Sequence, residues 1–331
     1  MITPTMEDVA ARAGVSRALV SLVMRGSPKV STRRREAVLH AAEELGYAPH
    51  AAARSLASRN SRILGVLVSD LHNPFFAEII DGIDATAHAE GFELVINTGG
   101  RSPARERAAV TNLLSFRPAG VLLLGPAVPA SVISDAAARL PVVLVARGSR
   151  LASVDTVQDH GKVGSALAVD RLVELGHGRI AHFDGGRAAQ SAARRTGYRT
   201  AMRGHGLEPD VIPSEYTEVA GEKAAAELLA RGDHLPTAVL AANDVNAIGA
   251  ISTFGRAGLR VPEDISVVGY DNTSLAAFRH IGLTTVDQPR AEMGRLATEA
   301  LLQRVRGERT TPVRHLLRPS LVERTTTGTA S

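Results

Sequence analysis

The 331-residue chain has no cysteine. Disulfides, thiolate nucleophiles and cysteine-based zinc sites are therefore excluded. It has no apolar run long enough for a membrane span, and its N-terminus lacks a cleavable signal pattern. The expected compartment is the cytoplasm, with no membrane partner. Motifs that announce enzymes are missing too. There is no Gly-x-Ser-x-Gly, no phosphate-binding loop ending in Gly-Lys-Ser/Thr and no His-Glu-x-x-His. The eleven histidines are scattered, and His177 and His182 read as local hydrogen-bonders rather than ligands. No metal, cofactor or catalytic residue is expected. Lysine is nearly absent as well: Lys29, Lys162 and Lys223 are the only three. With abundant Ala and Gly, this fits a GC-rich genome and carries no functional information.

What is present is unevenly spread. Residues 1–61 hold nine Lys or Arg against five acids, which accounts for the whole-chain excess of +4. The remainder is balanced. A neutral body with a basic first fifth suits a polyanionic partner at one end only. At 44% hydrophobic the chain is ordinary and globular, and its length allows two or three domains.

The basic segment contains Thr5-Met-Glu-Asp-Val-Ala-Ala-Arg-Ala-Gly-Val-Ser-Arg-Ala-Leu-Val-Ser-Leu-Val-Met-Arg-Gly26. The pattern predicts a helix, a glycine turn and a second helix. Thr5 and Asp8 resemble a capping box. Gly14 supplies the positive φ of a tight interhelical turn, and Ser16 caps the second helix. A helical hairpin that only packs is the bland alternative. A third helix is expected from about Thr32 to Leu45, with Ser31 as its cap, a stripe of Val38, Ala41 and Leu45, and Gly46 as its stop. The stretch 51–58 favours helix but is too short to hold one alone in water.

From Ile63 onward short apolar runs alternate with segments of helical length. The runs are Ile63–Val68, Phe92–Ile96, Val121–Leu124, Val142–Val145, Ile180–Phe183, Ala238–Ala241 and Ile265–Val268. Continuous apolar strands with crossover helices predict parallel sheets covered on both faces. About 260 residues is large for one sheet, so two similar lobes with a cleft between them are expected. Polar and aromatic residues follow the strand ends: Ser69, Asp70, Phe75 and Phe76, then Arg147, Asn243, Asp244 and Asp271. Such groups suit a polyhydroxylated ring, with hydrogen bonds at its edge and an apolar platform beneath it. Asn243 is equally well read as a helix N-cap, and Phe75 and Phe76 as core.

Several strings together carry a resemblance. In the head they are Met6-Glu-Asp-Val-Ala-Ala-Arg-Ala-Gly-Val-Ser16, the Val20-Ser21 pair and Glu44-Leu-Gly-Tyr-Ala-Pro49; next comes Ala53-Arg-Ser-Leu56. In the body they are Asn73-Pro-Phe-Phe-Ala-Glu78, Glu174-Leu-Gly-His177, Arg194-Arg-Thr-Gly-Tyr198, Ala242-Asn-Asp244, Val261-Pro-Glu-Asp-Ile-Ser-Val-Val-Gly-Tyr-Asp271 and Leu283-Thr-Thr-Val286. Over essentially its full length the chain resembles a LacI/GalR-family transcriptional regulator.

The resemblance implies an α/β two-lobed body like a periplasmic binding protein, with an N-terminal all-α helix-turn-helix headpiece and a hinge helix. The implied division is a headpiece at 1–49, a hinge at 50–61 and a body at 62–331. Lobe 1 then takes about 62–160 and 291–318, and lobe 2 about 161–290 and 319–327. A homodimer is implied, each headpiece reading half of a near-palindromic operator in double-stranded DNA. Arg17 and Ala18 fall where side chains reach major-groove base edges, and an Arg there suggests guanine. Thr5, Ser16, Ser21, Leu22, Arg25, Ser31 and Tyr47 complete the expected head contacts. Leu22 and Leu19 depart from the family's usual Arg and Thr. In the hinge, His50, Ala53 and Leu56 are implied contacts; Leu56 matches a minor-groove wedge, while His50 replaces a common Asn.

For the cleft, the resemblance implies that Arg194 and Asp271 anchor a small-molecule effector. Ser69 and Asn243 would add polar contacts, and Phe75, Phe76 and Tyr216 would stack on a ring. Ala146 stands where an acid is frequent, and Arg147 follows it, which points toward a ligand with negative charge. The implied function is a repressor switched by a sugar or related metabolite. The alternative weighed is a cytoplasmic small-molecule-binding protein or α/β enzyme whose DNA-binding head serves another purpose.

Overall fold

The computed structural model describes residues 4–24, 27–47, 61–232 and 235–330. The chain forms two units, 1–61 and 62–331.

The first unit contains α1 (Met6–Ala13), α2 (Arg17–Met24) and α3 (Thr32–Glu44). Its core is built from Val9, Val20 and Val38, all fully buried, with Ala10, Val23, Val30, Ala41 and Ala42 around them. The Thr5 N–H donates to Asp8 Oδ2 at 2.8 Å and the Asp8 N–H to Thr5 Oγ1 at 3.3 Å, closing the capping box. Gly14 takes φ +64° and ends α1. Ser16 Oγ accepts from the Leu19 N–H at 3.2 Å and starts α2. Ser31 stands at the N-cap of α3, but its hydroxyl makes no capping bond; there the expected position is met and the expected bond is not. The expected hinge, with His50, Ala53 and Leu56, lies outside the described residues, as does Arg25.

The second unit is built on two six-stranded sheets. The first contains β1 (Ile63–Val68), β2 (Glu93–Thr98), β3 (Gly120–Leu124), β4 (Val142–Val145), β5 (Asp155–Asp159) and a late strand, β11 (Arg314–Leu317). Their order is β11-β5-β4-β3-β1-β2, and every pair is parallel. The second sheet contains β6 (Ile180–Phe183), β7 (Asp210–Ile212), β8 (Ala238–Leu240), β9 (Ser266–Asp271), β10 (Thr284–Asp287) and β12 (Ser320–Val322). Its order is β12-β10-β9-β8-β6-β7, parallel except for β10 with β12. The chain passes between the sheets three times: after β5, after β10, and between β11 and β12.

The helices follow the strands. They are α4 (Pro74–Ala89), α5 (Pro103–Ser115), α6 (Ala130–Ala137), α7 (Gly161–Glu174), α8 (Ser191–Gly204), α9 (Glu218–Leu229), α10 (Asp244–Arg256) and α11 (Arg290–Val305). Alternation along β1, β3 and β4 sends side chains to opposite faces. Leu64, Val66, Leu122 and Val143 meet Phe75, Ile79 and Ile83 of α4 and Ala297 and Leu301 of α11. Leu67, Val121, Leu123 and Leu144 meet α5 and α6 through Val110, Leu113 and Ile133. A sheet packed on both faces needs apolar residues at every position, which is why these strands read as unbroken runs. Five strands escape the apolar-run pattern: β5, β7, β10, β11 and β12. They are short, or carry polar side chains that the fold satisfies. Asp155 of β5, fully buried, accepts from Arg309 at 2.8 and 3.2 Å and from the Val313 N–H at 2.6 Å.

Candidate functional site

The head presents Arg17 and Ala18 on the exposed first turn of α2. The Arg17 guanidinium pairs with Glu7 at 2.9 Å, and both side chains are more than half exposed. Ser21 and Leu22, one turn on, are half-buried; Leu22 packs against the head core. Thr5 is exposed and committed to its capping box, and Tyr47 packs against the core through its ring. Arg35 is bound inward, donating to the Ser27 carbonyl at 2.5 Å and tying α3 to the preceding turn.

In the body a cavity of about 900 Å³ lies between the two sheets, at strand C-termini. This is where ligands sit in open α/β folds. Seven of the eight expected cleft residues line it: Ser69, Phe75, Phe76, Arg147, Arg194, Tyr216 and Asp271. Asn243 does not. Its side chain accepts from the Asn246 N–H at 3.0 Å and caps α10, and the residue is 1% exposed. The bond is the one the capping alternative requires.

Arg194 and Asp271 form the floor on the β6–β10 side. Arg194 Nη2 donates to Asp271 Oδ1 at 3.2 Å, and Nη1 to the Ala242 carbonyl at 2.8 Å. The guanidinium stacks 3.6 Å from the Tyr270 ring centroid and 5.2 Å from that of Tyr216. Burial works against its charge, but the Tyr216, Asp271, Tyr270 and Asp159 environment raises its pKa on balance. Arg194 Nε, buried, has no hydrogen-bond partner. Gln288 Nε2 donates to Asp271 Oδ1 at 2.6 Å. Burial pushes the Asp271 carboxyl above the ordinary carboxylate range, while Arg194 and Gln288 pull it back in part. A buried guanidinium and carboxylate offer a ligand one donor and one acceptor side by side, in a site where an unpaired group is costly.

The opposite wall belongs to the β1–β5 side. Ser69 Oγ donates to Glu106 Oε1 at 2.8 Å, and the Ala127 and Val128 N–H groups donate to Glu106 Oε2 at 2.6 and 3.1 Å. Arg147 Nη1 donates to the carbonyls of Pro126 and Val128 at 2.6 and 2.8 Å. Phe75 is buried in the core and meets Phe76 edge-on at 5.2 Å; Phe76 keeps a half-buried ring beside the cavity. Side-chain contacts also join the two sides. Arg101 lies 3.6 Å from Asp70 and 3.7 Å from Glu215, and Gln190 Nε2 donates to Gln158 Oε1 at 3.0 Å.

Backbone strain gathers at the same place. Six non-glycine residues among those described have positive φ, and Arg101, Ala146, Gln190 and Asp271 line the cavity, with Asn272 next in sequence. Such conformations cost about 1–3 kcal/mol each and concentrate at functional sites.

Sequence reading missed Arg101, Arg187, Gln190, Glu215 and Glu106. The first four lie on loops, where neither periodicity nor capping marks a residue as inward-facing. Glu106 sits in the first turn of α5, where an acid ordinarily means a solvated helix end. Here it is fully buried.

A two-lobed α/β body with a polar cleft, carried with a helix-turn-helix head, defines the class of ligand-binding regulators of transcription. Residues 5–50 match the family model of bacterial regulatory proteins of the lacI family, and residues 169–327 that of the periplasmic binding protein-like domain. The chain is 35% identical to an HTH-type transcriptional repressor PurR from Vibrio atlanticus, over 98% of this chain and 99% of that one. Among solved structures it is similar to a lac repressor dimer bound to operator and the anti-inducer ONPF (31% identity, TM-score 0.84, 99% and 100% of the two chains). It is also similar to the transcriptional regulator CelR in complex with cellobiose (35%, TM-score 0.73, 98% and 99%). The chain belongs to the lacI family of bacterial regulatory proteins; it is a regulator of transcription and not an enzyme.

Proposed function

We propose that this protein represses transcription by binding a near-palindromic operator as a homodimer in the cytoplasm, and that a small molecule held between the two lobes changes its operator affinity. The observation that carries the ligand half is the convergence of Ser69, Phe75, Phe76, Arg147, Arg194, Tyr216 and Asp271 on one cavity. They come from distant parts of the chain, and apart from Phe75, which is also core, they bring polar groups and a half-buried ring to the wall of a void. The DNA half rests on the basic head, with Arg17 and Ala18 exposed at the start of α2, and on the similar repressor dimer, which is bound to operator. In this reading residues 50–61 form the hinge, and Leu56 enters the minor groove between half-sites.

Selection from a random duplex library by the full-length protein tests the DNA half. A symmetric site with two half-sites is expected. Recovery of asymmetric or unrelated sequences would sink it.

A further inference from the structure

We propose that the ligand of this cleft carries an oxyanion, a phosphate or carboxylate group on a polar ring, and that Arg147 seats that group. The proposal rests on the reading of the cleft as an effector site and names the chemistry of its occupant.

The charges lining the cavity do not balance by pairing. Arg194 is matched by Asp271 at 3.2 Å, and Arg101 lies between Asp70 and Glu215. Two further lining arginines, Arg147 and Arg187, have no carboxylate within 4.0 Å among the described residues. Arg187 is exposed, and water solvates it. Arg147 is half-buried, so water does so only in part.

The position of Arg147 is fixed from one side only. Nη1 spends its protons on the Pro126 and Val128 carbonyls. Nε and Nη2, the side-on edge of the guanidinium, have no hydrogen-bond partner among the described residues. That edge is a planar fork matched to two oxygens of a carboxylate or phosphate. The acid whose charge acts on Arg147 cannot serve as partner. Glu106 is fully buried, and its two oxygens are taken by Ser69, Ala127 and Val128. It contributes a background charge behind the wall. Burial lowers the Arg147 pKa and Glu106 offsets only part of that, so the cation is held at a cost that a bound anion relieves. Phe76 lies against Gly125, the residue before Pro126: a Cβ on Gly125 would stand 2.7 Å from Phe76 Cζ. The anchored guanidinium and the aromatic platform therefore rest against the same 125–128 segment, which places an anionic substituent beside a stacked ring. A neutral ring alone would leave the fork to water.

The test is calorimetry on the full-length protein with matched pairs: ribose and ribose 5-phosphate, and glucose with glucose 6-phosphate and glucuronate. An anionic member is expected to bind at least about tenfold more tightly than its neutral match. In R147Q that preference should fall to about threefold or less; R147K, which keeps the charge but not the fork, should fall between. R187Q should keep the preference. The better of phosphate ester and carboxylate identifies the oxyanion. Equal or tighter binding of the neutral members, a preference that survives R147Q, or no binding by any anionic member overturns the inference. D271N separates the two readings. Neutral members that bind and are lost in D271N, with no anion preference, leave the cleft as the effector site and remove only the oxyanion. Binding that neither D271N nor R147Q weakens removes the cleft reading as well.

Discussion

Arg17 can leave its protein partner at little cost. Its pair with Glu7 is formed between two side chains more than half exposed, and such pairs contribute about 0–1 kcal/mol. A base edge can therefore compete for the guanidinium. Arg17→Ala is expected to cost about 1–3 kcal/mol of operator binding and to relax preference at one base pair per half-site. Quantitative binding to a set of singly substituted operators checks this; a uniform loss across all of them would make Arg17 a phosphate contact. Asp271 has the opposite character. It is buried against Arg194 and Gln288, and Asp271→Asn should lower ligand affinity by roughly 2 kcal/mol while leaving operator binding intact. The raised carboxyl pKa sets the sign of a pH effect. The group protonates at higher pH than an ordinary carboxylate, about 3.9, so ligand affinity should decline on acidification between neutrality and that value. Calorimetry across this range on wild-type protein, with a ligand that does not itself titrate there, should show the decline, and Asp271→Asn should flatten it. A pH-independent wild-type affinity would mean that the ionised carboxylate does not hold the ligand.

At the scale of elements, helix contact is set by small residues. In α4 and α11 the backbones cross at Gly82 and Gly294: a Cβ on Gly294 would lie 2.3 Å from the Ile79 carbonyl oxygen, and one on Gly82 would lie 2.4 Å from that of Ala291. No side-chain rotation relieves a clash with backbone. Gly294→Ala should therefore destabilise the body by about 1–3 kcal/mol despite the better helix propensity of Ala, as read by urea unfolding; an unchanged midpoint would show that the helices can part freely. The same scale explains what could be read from sequence. β1, β3, β4 and β6 are buried on both faces, so their apolar runs mark them directly. β10 (Thr-Thr-Val-Asp) and β5 (Asp-Thr-Val-Gln-Asp) hold equally buried polar groups, whose partners come from far along the chain. Thr285, for instance, donates to Asp244 at 2.5 Å. Periodicity sees residue type and not the distant partner. For the cleft the same limit applies. Arg194, Asp271 and Ser69 could be expected because they sit in motif strings or just past strands. Arg101 and Gln190 line the cavity from loop positions with positive φ, which no composition signals. Asn243 fitted both a cleft and a cap, and only the geometry of α10 separates them.

At the scale of the molecule, three crossovers join the lobes, and a small set of contacts near the cleft spans them. Glu78 of α4 accepts from the Ser274 N–H at 2.8 Å. Arg101 with Glu215 and Gln190 with Gln158 bridge the opening. A ligand that binds one arrangement of the lobes better than another shifts their equilibrium by that difference and no more. Coupling to the operator is then reciprocal, commonly 1–3 kcal/mol or about 5–150-fold. The measurement that tests this most directly is operator affinity of full-length wild-type and Asp271→Asn protein, each titrated with and without a ligand shown by calorimetry to bind the wild type. The expected result is a shift of about fivefold or more in wild-type operator affinity, and at the same ligand concentration none in Asp271→Asn. Equal shifts in both proteins, or no shift in the wild type at saturating ligand, would contradict the assignment of the cleft as the switch.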